Sequence, residues 1–494
     1  MMKTNPETAR HDLIVVGAGP AGLSAALTAA RYGLKVVVVD EQHDAGGQVF
    51  RQSPRSFEAR PNAALRTYPF GAELLAQARN APGIEWRFGS VAWGVFHGAD
   101  DGRVKLAVSG DEQSCLFEGR HLLVATGAYD LPVAFPGWTL PGVMSAGGAQ
   151  TFIKSQHLRP GKRYVLAGSH PLLLVLAEQL LDAGAEVLEV AIARPRPGFG
   201  ELLSHLKALS GHAGLIGQLG KTLARLRAAG VPLRFGTMVS RAEGTDTLQQ
   251  VVLTDVDADW TPIAGTERTL RADSLAIGYG LLASTELARQ AGCEVRWAPA
   301  EGGWIVRHDA RMRTNVKGVL VAGEPAGVGG AELAHLQGRL AGLTAVDEVI
   351  GGAMPAVGHE AAHEAVALER AATEASIRAA RGFTDSVVRF FAPRLDALAN
   401  LAAGDTLVCR CEEVTADTVR GFIADNEHVS DVNSVKLACR TGMGFCQGRY
   451  CQHTTAHLLA QARGRDVSEL GVFRAQVPVK PVPLASIAAL KLPD

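Results

Sequence analysis

Aromatic residues make up only 6% of the 494 positions, too few for a surface built to stack on sugars or nucleobases. Net charge is nearly absent: 49 Lys and Arg against 50 Asp and Glu leave a formal −1. No overall field therefore draws the chain to nucleic acid or to an anionic membrane. No apolar run approaches the ~20 residues of a membrane-crossing helix, and the polar residues 1–10 lack the apolar core of a signal peptide. These absences predict a soluble, cytoplasmic protein without a transmembrane segment. Cysteine is scarce as well. Of seven, five (Cys409, Cys411, Cys439, Cys446 and Cys451) crowd into one C-terminal stretch. A disulfide framework would spread them more evenly and in even number, so a reducing compartment with one local metal site fits better.

What is present is an ample apolar content, 47%, and 55 glycines, with a length that predicts about three domains. Residues 11–16 read as a buried strand running into Gly17-Ala18-Gly19-Pro20-Ala21-Gly22. Leu23, Ala26, Leu27 and Ala30 follow at helical spacing, and residues 36–39 form a second apolar strand ending in Asp40-Glu41. Strand, glycine turn, helix and strand in about 30 residues make a dinucleotide-binding unit. In it Gly17 permits the turn, Gly19 lets backbone approach a pyrophosphate, and Gly22 lets helix meet strand. Pro20 suits the first helical turn, and the helix N-terminus favours phosphate. Asp40 is placed to accept a ribose diol, with Glu41 one step off and directed to the other face.

Three further segments bear on the nucleotide. Gly46-Gly47-Gln48 follows the ribose strand; residues 122–128 form a strand closing on Ala125-Thr126-Gly127; residues 314–324 form another that ends at Gly323-Glu324, before Gly330-Ala331 opens a helix. Together they resemble the two-dinucleotide-fold FAD oxidoreductases over about residues 11–350. That resemblance implies FAD, with Glu324 in the place usually held by Asp, bonding the ribityl chain. Within it, residues 163–167, 172–183 and 185–190 read as a second dinucleotide fold, yet its turn is Gly168-Ser169-His170-Pro171. Side chains stand where a pyrophosphate needs bare backbone, so this fold is expected to be degenerate and not to bind NAD(P). Cys115 and Cys293 are isolated, so the thiol pair of a disulfide reductase is missing. His335 is expected to pack rather than react, Tyr129 to line the flavin pocket or to serve equally well as a core aromatic, and Gln150 and Lys154 to lie on a solvated helix face.

Near the C-terminus, Cys409-Arg410-Cys411 and a Cys-x-x-x-x-Cys pair, Cys446 and Cys451, are separated by about 35 residues. Four thiolates suffice for a [2Fe–2S] cluster. Gly442, Gly444 and Gly448 would bring N–H groups to the sulfurs, and Arg410, Lys436, Arg440 and Arg449 would lower the thiol pKa values. Zinc is the rival metal, but its sites favour Cys-x-x-Cys knuckles, which neither pair supplies. The arrangement resembles the helical domain of bacterioferritin-associated ferredoxin, which implies Cys409, Cys411, Cys446 and Cys451 as ligands. Cys439 is then the spare thiol, with a ligand role as the alternative.

From about residue 11 to 485 the chain resembles the larger FAD subunit of bacterial multi-subunit dye-linked dehydrogenases (opine or hydroxyproline dehydrogenases) and the related subunit of hydrogen cyanide synthase. The implied fold is α/β: a two-dinucleotide-binding-domain flavoprotein, glutathione-reductase-like, with a small C-terminal helical [2Fe–2S] domain. Expected boundaries are 11–155 and 271–350 for the two parts of the FAD domain, 156–270 for the degenerate fold, 351–404 for a helical connector, 405–465 for the cluster domain and 466–494 for an extended tail draped over a neighbouring subunit. The resemblance further implies electron relay from a D-amino-acid-oxidase-like flavoprotein partner to a quinone or dye, with room for a small third subunit and for FMN at a subunit interface. It allows peripheral membrane association through the complex. A self-sufficient NAD(P)H-dependent reductase is the alternative.

Overall fold

The computed structural model describes residues 10–490 apart from positions 55, 58–64, 66–67, 98–101, 111–113, 199, 202–212 and 352–358. The opening residues read for a signal peptide, seven residues of the connector and the last four of the tail lie outside the described residues. The chain divides into two compact units, one of Met1–Ala128, Ala283–Asp385 and Arg474–Asp494, the other of Tyr129–Leu282 and Ser386–Phe473.

The first unit is built on a seven-stranded sheet. Ile84–Arg87, Val36–Val39, Arg10–Val16 and Ser114–Val124 lie side by side in parallel. Val319–Val321 extends the parallel part along Leu122–Val124. The four consecutive valines of Val36–Val39 are all buried, the unbroken apolar run of a strand covered on both faces. The early part of Ser114–Val124 pairs instead with Val104–Ser109, which pairs with Val91–His97, both antiparallel. Helix Pro20–Arg31 and helix Gly330–Gly351 press against each other so closely that a Cβ on Gly338 would lie 2.0 Å from the Ala21 carbonyl oxygen.

In the second unit a five-stranded parallel sheet runs Leu233–Phe235, Glu186–Ile192, Arg163–Gly168, Ser274–Gly278, Val143–Ser145. Beside it stand three antiparallel strands, Thr237–Glu243, Gln250–Asp255 and Arg268–Arg271. The expected boundaries at 155/156 and 270/271 differ from this division, because Val143–Ser145 and Ser274–Gly278 both pair into this sheet. Val143–Ser145 has only three residues, too few for periodicity to register. The connector is helical over His359–Phe390, and the unit boundary after Asp385 falls inside it.

The C-terminal part of this unit holds helices Leu395–Asn400, Ala416–Asp425, Val432–Cys439, Gln452–Arg463 and Val467–Leu470, with a two-stranded ribbon of Leu407–Cys409 and Val414–Thr415. Three of these helices start where the side chains of Thr415, Asp431 and Asp466 accept backbone N–H groups, satisfying donors the helix itself leaves free. Val408, Val419, Ile423, Val435, Leu459 and Phe473 are buried there.

The tail packs in part on the first unit: Val479 is buried, and its N–H donates to the Trp93 carbonyl at 2.9 Å.

Candidate cofactor sites

Strand Arg10–Val16 ends at Gly17, whose φ is +106°. A Cβ on Gly22 would lie 1.7 Å from the Gly17 carbonyl oxygen, so the turn tolerates no side chain there. Pro20 occupies the first helical turn behind Gly19. Asp40 Oδ2 accepts the Ala18 N–H at 2.5 Å, and Oδ1 accepts the Gln42 N–H at 2.7 Å. The ribose-strand carboxylate is thereby tied to the glycine turn, with lone pairs left over for a diol. Burial pushes its pKa up, and these two N–H bonds pull it back. Glu41 points elsewhere, into an ion pair with Lys480.

The loop after Glu41 folds back over the turn. Gly46 N–H donates to the Ala18 carbonyl at 2.9 Å, and a Cβ on Gly47 would fall 2.7 Å from Gly19 Cα. Two backbone segments without side chains thus face each other, a cradle that fits a pyrophosphate beneath the helix N-terminus. Gln48 donates to the Ala128 carbonyl at 2.8 Å. Ala125 N–H joins the Val16 carbonyl at 2.9 Å, Thr126 Oγ1 donates to the Ser284 carbonyl at 2.6 Å, and the Gly127 carbonyl accepts the Ser284 N–H at 2.9 Å. Every expected FAD segment of this unit therefore converges on the turn or on the strands beside it.

Glu324 has a role that spacing did not reveal. Besides the lone pairs left for a ribityl chain, Oε2 accepts the Gly329 N–H at 2.9 Å and Oε1 the Gly330 N–H at 3.1 Å. Its carboxylate thus closes the loop that opens helix Gly330–Gly351, while Gly323 N–H is held by Gln337 Oε1 at 3.0 Å and Ala331 is buried against the core. Burial raises the Glu324 pKa to about 7. His335 bonds Ser24 Oγ at 2.6 Å and stacks on Phe70 with ring centroids 4.7 Å apart. Burial, then Arg339, lowers its pKa to about 4, consistent with a packed neutral ring.

At the second fold's turn, the Ser169 and His170 N–H groups both donate to the Gly278 carbonyl, at 3.0 and 2.9 Å. Ser169 Oγ donates to the Tyr279 carbonyl at 2.9 Å. Beyond the next strand, Arg194 lies 3.6 Å over the Phe390 ring and donates to the Phe390 carbonyl at 2.7 Å.

The cysteine cluster assembles from the ribbon, the turn that holds Cys446 and the start of helix Gln452–Arg463. Cys409 is hydrogen-bonded to Cys451, and Cys446 to Cys411. Among the described residues no three His, Cys, Asp or Glu side chains converge on one ion position. The thiols come as two pairs, the two-plus-two partition a binuclear cluster requires. The bond from Cys451 leads the causes that lower the Cys409 pKa to about 6, with N–H groups of Gly442, Glu412 and Cys411 adding to it. The N–H groups of Tyr450 and Gly448 turn to Cys446. Cys451 sits at the start of helix Gln452–Arg463, and its bond to Cys409, followed by burial, raises its pKa well above the usual thiol value. These donors fit an anionic cluster. Cys439 stands apart, raised by burial with no thiol among the causes.

The basic residues around the thiols have partners of their own. Arg410 lies over Trp138 and Lys436 over Phe473, each 5.4 Å from the ring centroid. Arg440 Nε donates to Glu412 at 2.8 Å, and Arg449 to the Cys446 carbonyl at 3.1 Å. Gly444 makes room for Cys411, whose Cβ would lie 2.2 Å from a Cβ at that position.

A glycine-turn dinucleotide cradle, a second dinucleotide-type sheet and a paired four-thiol centre define an FAD-dependent oxidoreductase that also holds a [2Fe–2S] cluster. Residues 11–341 match the family described as pyridine nucleotide-disulphide oxidoreductase, and residues 407–461 match the BFD-like [2Fe-2S] binding domain. The chain is 33% identical over 486 residues to an opine oxidase subunit of Agrobacterium tumefaciens, covering 97% of this chain and 92% of that one. It is 32% identical over 480 residues to the HcnB subunit of hydrogen cyanide synthase from Pseudomonas aeruginosa, covering 97% and 98%. The chain belongs to this family of FAD and [2Fe–2S] oxidoreductase subunits. Its fold is shared with L-proline dehydrogenase from P. horikoshii, at a TM-score of 0.67, 19% identity, and coverage of 98% of this chain and 81% of that one. Among the described residues no helix is long and apolar enough to cross a membrane.

Proposed function

We propose that this chain is the electron-relay subunit of a heteromeric dehydrogenase, in which a partner resembling D-amino-acid oxidase oxidises a secondary amine or amino-acid-type substrate such as an opine or hydroxyproline. The observation that carries the reading is the second fold's turn. Its Ser169 and His170 N–H groups are spent on the Gly278 carbonyl, so the donors a pyrophosphate needs are engaged within the fold. Phe390, clamped by Arg194, adds bulk at the end of the neighbouring strand. Without a nicotinamide donor, reducing equivalents come from another polypeptide. The relatives are named as subunits, one of opine oxidase and one of hydrogen cyanide synthase, which supports a multi-subunit assembly. Cytoplasmic placement, peripheral attachment through the complex, a small third subunit and FMN at an interface all accord with it.

Bound FAD exchanges electrons in pairs and a bound [2Fe–2S] cluster singly. The protein's own contribution is to shield three of the thiols and leave one open. Cys409 and Cys451 are buried, Cys446 is half-buried and Cys411 is exposed. Gly444 packs on Cys411, and the next residue, Phe445, is 82% exposed. That face supports approach of a protein redox partner at Cys411, with a quinone or dye as the final acceptor.

The family description, which names pyridine nucleotide, favours a second reading: a self-sufficient NAD(P)H-dependent reductase. Anaerobic mixing separates the two. The relay reading expects NADH and NADPH to leave the flavin band unbleached, and the amine substrate to bleach it only in the complex purified from the native host. Rapid bleaching of the isolated chain by either nicotinamide would overturn it.

A further inference from the structure

We infer that the C-terminal segment around Lys480 is a clasp that retains the dinucleotide by holding the loop after Glu41 shut over the glycine turn. The inference rests on the placement of the FAD adenosine end at Asp40.

The loop that starts at Glu41 forms the outer wall of the cradle. Its inner contacts are made at Gly46 and Gly47, against Ala18 and Gly19. For a bound dinucleotide to leave, this wall has to swing away from the turn. At the Glu41 end that swing is opposed by the Gly89 N–H, which donates to the Gln42 carbonyl at 2.9 Å, and by the tail. Lys480 forms an ion pair with Glu41, the residue directly after the ribose-strand Asp40. Lys480 is itself anchored: Val479 is buried in the core of this unit, and its N–H is bonded to the Trp93 carbonyl at 2.9 Å. Val477 lies against Gly94, where an added Cβ would stand 3.4 Å from Val477 Cγ1. Further along, Ser486 Oγ accepts a hydrogen bond from Ser109 Oγ at 2.9 Å. The tail thus lies along the outer strands of the sheet, fixed at three points, and presents one cation to the loop. An ion pair that fastens the wall of a site to an anchored tail acts on the release rate of the ligand behind it more than on the approach of a new one, in keeping with the general rule that affinity is tuned mainly through dissociation.

The test is the dissociation rate of FAD from holoprotein, followed by recovery of free-flavin fluorescence after dilution, with iron content and the cluster absorbance as controls. Lys480→Glu sets two carboxylates against each other and is expected to speed FAD release about fivefold at low salt. The acceleration should shrink as salt screens the exposed pair. The swapped double variant Glu41→Lys/Lys480→Glu should return the rate to within about twofold of the unmodified protein. Cluster content should be unchanged throughout. A Lys480→Glu rate equal to that of the unmodified chain, or a swapped variant as fast as the single one, would overturn the clasp. An unmodified chain that retains no FAD would instead remove the placement on which it rests. Deletion of residues 474–494 is the coarser variant and should release FAD faster still. Because Val479 is part of the core, the charge swap rather than the deletion decides.

Discussion

Arg268 meets Glu189 through two parallel hydrogen bonds, Nη1 to Oε2 at 2.7 Å and Nη2 to Oε1 at 2.5 Å. Glu189 lies on the parallel strand Glu186–Ile192 and Arg268 on the antiparallel strand Arg268–Arg271, so one carboxylate staples the two sheets of the second unit. Glu189 is only 3% exposed, and Arg234 reaches it at 3.2 Å as a second cation. Removing one partner of a buried pair costs more than the pair itself contributes, because the other charge is left desolvated. Arg268→Met is therefore expected to lower stability by about 2 kcal/mol, at the low side of the range for buried pairs because Arg234 remains. Replacing both residues by leucine should recover most of that loss. Urea unfolding midpoints of the three variants check it, and equal midpoints for Arg268→Met and the unmodified chain would refute the staple.

The glycine turn leads to a cleaner separation of the two cofactors. A Cβ at Gly22 would sit 1.7 Å from the Gly17 carbonyl oxygen, and backbone oxygen has no way to yield without opening the turn. Gly22→Ala should yield protein with little or no flavin absorbance and a normal iron content, since the thiols belong to the other compact unit. Stoichiometric FAD in purified Gly22→Ala would show that the turn is not the binding site.

How much of this was legible in the sequence depends on how local each signal is. Gly17, Gly19, Gly22 and Asp40 were readable because a strand, a turn and a helix fix their relations within about 30 residues. The two cysteine pairs were readable by spacing and by resemblance. What escaped was set by partners distant in sequence or by the direction a side chain takes. Spacing places Glu324 beside the helix that opens at Gly330, but that its carboxylate also caps its own loop is decided by the backbone at Gly329 and Gly330. Arg410 and Lys436 carry charge that composition assigns to the cluster, yet their guanidinium and ammonium groups rest over Trp138 and Phe473. Trp138 lies some 270 positions before the cysteines it neighbours, a relation no window reveals. The Lys480–Glu41 pair spans a still longer separation, 439 positions.

The thiol set makes a prediction that distinguishes the fifth cysteine. Serine at Cys409, Cys411, Cys446 or Cys451 should each abolish or severely reduce bound iron, because each sulfur belongs to one of the two bonded pairs and oxygen is a poor substitute for thiolate at iron. Cys439→Ala should keep full iron content, with a modest stability loss from the vacated volume of a buried thiol. The check is iron and sulfide analysis with the visible spectrum of anaerobic protein. A colourless Cys439→Ala chain that remains folded would move Cys439 into the ligand set.

Glu324 gives the pH dependence its sign. Its carboxyl titrates at an ordinary 4.5 when unfolded and at about 7 when buried in the folded protein. Between those values the native state binds more of the proton than the unfolded chain does, so this group makes stability fall as pH rises through the window. Below pH 4.5 both states are protonated and the group is neutral in its effect. Above about 7 the full desolvation cost is present, because the carboxyl is ionised in both states. Glu324→Gln keeps the acceptor oxygen for one of the two N–H groups and carries no charge, so it removes the titration. The stability of the glutamine variant relative to the unmodified chain should therefore climb between pH 4.5 and about 7 and then level off. Paired urea unfolding curves across that range measure the difference directly. A difference that stays flat, or that shrinks with rising pH, would mean that Glu324 is not the buried, reluctantly ionised carboxyl that its bonds to Gly329 and Gly330 describe.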